Sequence, residues 1–245
     1  MDWTKMTLMH STLAVSVMTA VSFSALALPP AKNPAVYSVG RLQDVMENDD
    51  RTPRITLSDL SLEHLFALGP AENLNGEITV INGQPSISHV SDQGEVTLDH
   101  LKGTRAVVLV YANVPAWREL PLSTSLHSQK ELETFISQAA DQAGLDSDRP
   151  FPFMLKGVFA GVKYHILRGS DSQGQRVAGG DRVAFTQQNQ GGTLLGFFSR
   201  HDQGVFTQKD TLIHVHYVSD SGLHAGHVED LQLNGGPEVK LLLPN

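Results

Sequence analysis

The stretch Thr211–Leu233, TLIHVHYVSDSGLHAGHVEDLQL, constrains the fold of this chain more than any other. His214-Val215-His216 is a His-x-His step, and in a strand positions two apart share a face. Ser219-Asp220-Ser221-Gly222 reads as a turn, and Val228, Leu231 and Leu233 fit a returning strand. A hairpin folded about Ser221–Gly222 sets His216 opposite His227. Directly opposed residues of an antiparallel pair share a face with Cβ atoms roughly 5 Å apart. Three imidazoles then converge on one point, and three histidines with an open fourth position are a ligand set of catalytic zinc.

Other readings of these residues stay open. The chain has 11 histidines, so some pairs at spacing two arise by chance, and strand histidines are often ordinary surface residues. His224, in the turn, is a rival ligand. Glu229 falls opposite His214 in the simple register and is a further candidate on the metal face. Its alternative is a solvated position at a bulge.

The 245 residues can bury one large core or two small ones. A net charge of −8 argues against a nucleic-acid-binding surface, which needs a basic patch. With no cysteine, any metal must sit on His, Asp and Glu. At the N-terminus Lys5 precedes an apolar run from about Leu13 to Leu26, then Ala25-Leu26-Ala27 before Leu28-Pro29-Pro30. A basic residue, an apolar segment and an A-x-A site describe a secretory signal peptide over 1–27. Cleavage after Ala27 implies a bacterial periplasmic or extracellular protein with no membrane association. An uncleaved anchor is the alternative, on a run short for a membrane span.

Residues 28–54 read as a linker with a short strand near Val36–Val39. Thr56 or Ser58 is expected to cap a helix whose apolar face is Leu60, Leu62, Leu65 and Leu68, ending at Gly69-Pro70. Asn75-Gly76 and Asn82-Gly83 bracket a short strand in which Glu77 and Thr79 face one side. Glu77 is there a carboxylate of fixed direction, or a solvated edge residue. Ala106–Tyr111 reads as a strand buried on both faces, and residues 115–119 as a loop with an anchoring Trp117. Ser128 caps a helix to Ala143, with Glu131 in a capping box and Gly144 as the stop. Residues 153–167 read as one long strand or two, 169–189 as a loop, 191–198 as a strand, and Val239–Leu243 as a last strand. The fold class is α+β: β-rich, with mixed or antiparallel sheets, a barrel-like β core and two to three helices.

The series Gly192-Thr193-Leu194-Leu195-Gly196-Phe197, His214-x-His216, Ser219-Asp220 and Ala225-Gly226-His227-Val228 resembles the α-acetolactate decarboxylase family. Leu74-Asn75-Gly76-Glu77-Ile78 and Lys156-Gly157-Val158-Phe159-x-x-Val162-Lys163 are similar to two further steps of that family, in the same order. The resemblance implies one domain over 55–245, with a division into β subdomains at about 55–145 and 146–245 left open. It implies Zn2+ on His214, His216 and His227, and a substrate-side role for Glu77. It implies decarboxylation of a small 2-hydroxy-3-keto acid, acetolactate to acetoin and CO2, by a homodimer. Two departures stand out. The family's catalytic arginine falls on His165, with Arg168 three residues on as a stand-in if the strand bulges. The family's C-terminal glutamate has no counterpart in the Leu-Leu-Leu-Pro-Asn ending. A catalytically impaired or repurposed secreted metal-binding protein is therefore one rival reading. A cupin-like metal enzyme is another, disfavoured because Ser219 and Asp220 stand where a cupin has its glutamate.

Overall fold

The computed structural model describes residues 1, 33–170, 173 and 175–245. The signal segment expected over 1–27 lies, beyond Met1, outside the described residues. Among the described residues no helix is long and apolar enough to cross a membrane.

The first part of the chain builds an antiparallel sheet. Its strands are β1 (Val36–Val39), β3 (Leu65–Pro70), β4 (Glu77–Ile81), β5 (Gln84–Val90), β6 (Val96–Asp99) and β8 (Leu109–Asn113). Their spatial order is β1-β8-β3-β4-β5-β6. Two short strands, β2 (Ile55–Thr56) and β7 (Arg105–Ala106), pair beside it. Helix α1 (Leu42–Asn48) follows β1 within the expected linker.

The helix expected after Thr56 is a correction. Thr56 and Asp59 do form a capping box, but on a single 3-10 turn, Leu57–Asp59, and Leu65–Pro70 is strand. As a central strand, β3 is covered on both faces: Phe66 and Leu68 enter one core cluster, Leu65 and Ala67 another. Burial on both faces removes the alternation that would have distinguished it from a helix.

The second sheet holds β9 (Trp117–Leu122), β10 (Phe151–Ser170), β11 (Arg176–Phe198), β12 (Ile213–Ser219), β13 (Ala225–Gln232) and β14 (Gly236–Pro244). Its order is β11-β12-β13-β10-β14-β9, and β10 also pairs β11. Strands β10 to β13 thus close on themselves, which is the barrel-like core. Residues 117–119 of the expected 115–119 loop belong to strand β9, held by β14. Residues 176–189, also expected as a loop, are the first part of β11, opposite β10 from Arg176 to Asn189's neighbours Gln188 and Gln190. Alternate outward side chains there, Arg182, Ala184, Thr186 and Gln188, are exposed. Inward, only the half-buried Val183 and Phe185 reach the main core.

Helix α2 (Gln129–Ala143) forms as expected: the Ser128 hydroxyl accepts from the Glu131 amide, and Gly144 closes it at φ 83°. Leu132, Ile136 and Ala140 bury its inner face. Glu133 shares that face, although charged. It accepts from the Leu212 amide at 2.9 Å and the Thr211 hydroxyl at 2.5 Å, and pairs with Lys130 at 2.6 Å. The helix thereby pins the chain just before β12. Truncating Glu133 leaves the Leu212 amide without its acceptor. Glu133→Ala should therefore destabilise the fold by about 1–3 kcal/mol, read as a lower urea midpoint at unchanged slope.

Candidate metal centre

The hairpin forms in the expected register, with His216 opposite His227. His214 Nε2 lies 3.2 Å from His216 Nε2 and 3.0 Å from His227 Nδ1. All three rings are buried, and one nitrogen from each lies within 4.8 Å of the others. Neighbouring strands determine this convergence. β13 leaves β12 after His227 and pairs with β10 on its other edge, His227 opposite His165. Gly226 permits the approach: a Cβ there would stand 2.5 Å from the His165 carbonyl oxygen and 2.6 Å from the Tyr164 ring.

The outward nitrogens have partners compatible with a metal ion held by the inward ones. His214 Nδ1 donates to the Phe206 carbonyl at 2.7 Å, and a carbonyl only accepts, so Nε2 carries a bare lone pair. His216 Nδ1 lies 3.0 Å from the Thr79 hydroxyl, which can accept from it and so free the inward Nε2 lone pair. The Gln208 amide nitrogen lies 3.2 Å from His227 Nε2 and donates to it in this orientation; with the amide turned over, its oxygen would accept from Nε2 and free Nδ1 as the inward lone pair. Outer partners that set each tautomer are characteristic of histidine metal sites. Nitrogens sharing one tetrahedral zinc at ~2.0–2.1 Å stand about 3.3 Å apart, close to the spacings here. His224 is not part of this group; its Nδ1 contacts the Tyr164 hydroxyl at 3.2 Å.

Glu77 enters from β4 of the first sheet, buried beside the cluster. Its carboxyl oxygens are 3.7 Å from His216 Nε2 and 3.8 Å from His165 Nε2. Burial pushes its pKa up to about 8, against opposing effects of the Leu167 amide and the Arg182 charge. His165 is also buried, and its Nδ1 stands 3.3 Å from Glu229 Oε1 outside hydrogen-bond geometry. Burial, then the charge of Arg182, hold its pKa down at about 4. Burial likewise holds His214 at about 4 and keeps His216 and His227 well below the ordinary imidazole value.

Glu229 falls at a bulge between the pairs Tyr164–Val228 and Lys163–Asp230, and its outer oxygen is 2.8 Å from Lys163. Arg168 does not reach the site. Its guanidinium is tied to Asp181 at 2.6 Å and Asp92 at 3.2 Å. A cavity of about 420 Å3 opens onto the cluster. Glu77, His165, His214, His227, Gln208 and Arg182 line its polar side, while Leu42, Val45 and Met46 of α1 with Leu167 form an apolar wall. Arg182, Gln208 and α1 escaped the sequence reading. The alternation Val183-x-Phe185-x-Gln187 was the available signal for the strand that carries Arg182.

The family model described as alpha-acetolactate decarboxylase matches residues 36–241. The chain belongs to this family. No curated protein matches it in sequence. Among solved structures, alpha-acetolactate decarboxylase from Bacillus subtilis strain 168 is 17% identical, with 85% of this chain and 83% of that one covered at TM-score 0.64. Acetolactate decarboxylase from Bacillus subtilis subspecies spizizenii is 16% identical, with 85% of each chain covered at TM-score 0.65. A Staphylococcus aureus protein of unknown function, similar to alpha-acetolactate decarboxylase, is 18% identical. It covers 86% of this chain and 84% of its own at TM-score 0.65. At such identities the structural likeness shows the fold; the family rests on the sequence match.

The buried titratable groups give this family member a characteristic acid response without metal. His165 and His214 titrate near 4 when folded, against the ordinary imidazole value of 6.5. As pH falls from 6.5 to 4 the unfolded chain takes up protons that the folded imidazoles refuse, so stability falls. Glu77 acts oppositely: between 4.5 and about 8 the folded carboxyl keeps a proton that the unfolded one has lost, so stability falls as pH rises. Four depressed imidazoles outweigh one carboxyl. For the chelator-treated protein, the urea midpoint should rise from pH 4 to 6.5 and then decline toward 8. Glu77→Gln should abolish that later decline.

Proposed function

We propose that this chain is an exported, zinc-dependent lyase that decarboxylates a 2-hydroxy-3-keto acid, converting acetolactate to acetoin and CO2. The observation that carries the reading is the convergence of three buried imidazole nitrogens beside a buried Glu77 at the end of a cavity. Family membership supports the reaction class. The Lys5, apolar-run and Ala25-Leu26-Ala27 pattern supports export.

A zinc ion held by His214, His216 and His227 would supply Lewis-acid polarisation of the substrate's oxygens and a sink for developing negative charge. In the reaction the bond from C2 to the carboxyl carbon breaks and CO2 leaves. The electron pair stays behind as an enolate, and one proton added at carbon yields acetoin. Glu77 is placed to handle that proton, because burial keeps it protonated near neutrality. A nearby dication would draw its pKa down toward the working pH, where a general acid is most effective. His165 is neutral at that pH and contributes a ring against His227, with centroids 4.7 Å apart, rather than a cation. The apolar wall from α1 excludes water from one side of the bound acid.

Metal content and acetoin formation in wild type and His216→Ala test the reading. Wild type should carry zinc and release acetoin. The variant should lose most of its zinc and at least about 100-fold in activity. A variant that kept both would overturn the assignment. Tight binding of acetolactate by wild type without acetoin would instead support the repurposed binding protein.

A further inference from the structure

An anionic substrate needs a cation in the cavity. The cavity is lined by two cationic side chains, Lys209 and Arg182. Lys209 is paired with Glu47 of α1. Arg182 has no carboxylate partner among the described residues; its guanidinium donates weakly to Met46 Sδ at 3.8 Å. The contrast with its neighbours is clear: Arg51 and Arg176 hold Asp49, Arg105 holds Glu72, and Arg168 holds two aspartates. Arg182 projects from β11 opposite Leu167, two residues beyond His165 on the paired strand. It lines both the main cavity and a second, polar recess of about 380 Å3, and His227 and Gln208 border both. Glu77 and His165 line the main cavity with it, and Glu229 lines the second recess.

We propose that Arg182 binds the substrate's carboxylate, reaching from the cavity rim on β11. The assignment rests on the decarboxylase reading above. A planar guanidinium meets a carboxylate through two parallel hydrogen bonds, which orients the acid as well as attracting it. With the carboxylate at Arg182, the rest of the acid lies between the histidines and the apolar wall of α1. The exposed position of Arg182 also suits a reaction in which this carboxylate loses its charge as CO2. A deeply buried ion pair would stabilise the starting acid more than the transition state and raise the barrier. A solvated rim arginine orients with less of that penalty.

The test uses the zinc-loaded full chain and two non-reacting probes: the 2,3-dihydroxy acid made by reducing the ketone of acetolactate, and its neutral methyl ester. Wild type should bind the acid more tightly than the ester by calorimetry. Arg182→Gln should weaken acid binding by about 10- to 100-fold, the equivalent of one charge-assisted contact. Ester binding and zinc content should be unchanged, and Arg182→Lys should fall between. For acetolactate turnover, KM should rise more than kcat falls. The proposal is overturned if the Gln variant binds the acid within about twofold of wild type, or if acid and ester weaken together. Should Arg182→Gln fail to fold, a Lys variant with full wild-type preference for the acid overturns it equally. If wild type forms no acetoin, the decarboxylase reading fails by itself, and acid-over-ester preference still decides the role of Arg182.

Discussion

Strand β10 holds β11 along one edge and both β14 and β13 along the other, and the site depends on that double use. Pairing with β11 brings β12 into place; pairing with β13 brings back the third histidine. The β12–β13 hairpin sets the three imidazoles together, and closing the ring brings His165 of β10 against His227. The long, glycine-punctuated sequence of β10 makes this possible. At Gly157 the backbone has φ 150° and an added Cβ would meet the Glu238 carbonyl oxygen at 2.2 Å, so a side chain there would push β14 away. Gly226 plays the matching part where β13 crosses to β10.

The site separates two tasks chemically. Its inner end is dry: burial keeps four imidazoles neutral and one carboxyl protonated, the states suited to holding a metal and moving a proton. Its outer end is charged and wet, with Arg182, Glu229 and Lys163 at or near the surface. Such a gradient keeps strong cations away from the imidazoles while leaving one within reach of an anionic ligand.

Much of the inner end was legible in the sequence because it is local. A hairpin fixes the spacing of His214, His216 and His227 by turn geometry, and Glu77 follows an Asn-Gly turn that sets its direction. The capped helix α2 was legible for the same reason. The outer end was not. Arg182 sits in a strand whose solvent-facing residues are small or polar and whose inward residues are only half buried, so the pattern resembles a loop. Strand β3 failed for the opposite reason: with both faces buried it has no alternation to read. Arg168 and Glu229 lay at plausible spacing, but their directions depended on long-range partners, Asp92 and Asp181 for one and a bulge against β10 for the other.

The contact between Thr79 and His216 crosses from the first sheet to the second. The first sheet contributes none of the three imidazoles, yet β4 supplies the hydroxyl that meets the outward nitrogen of His216. A change at Thr79 would therefore reach the cluster from a strand that supplies no imidazole.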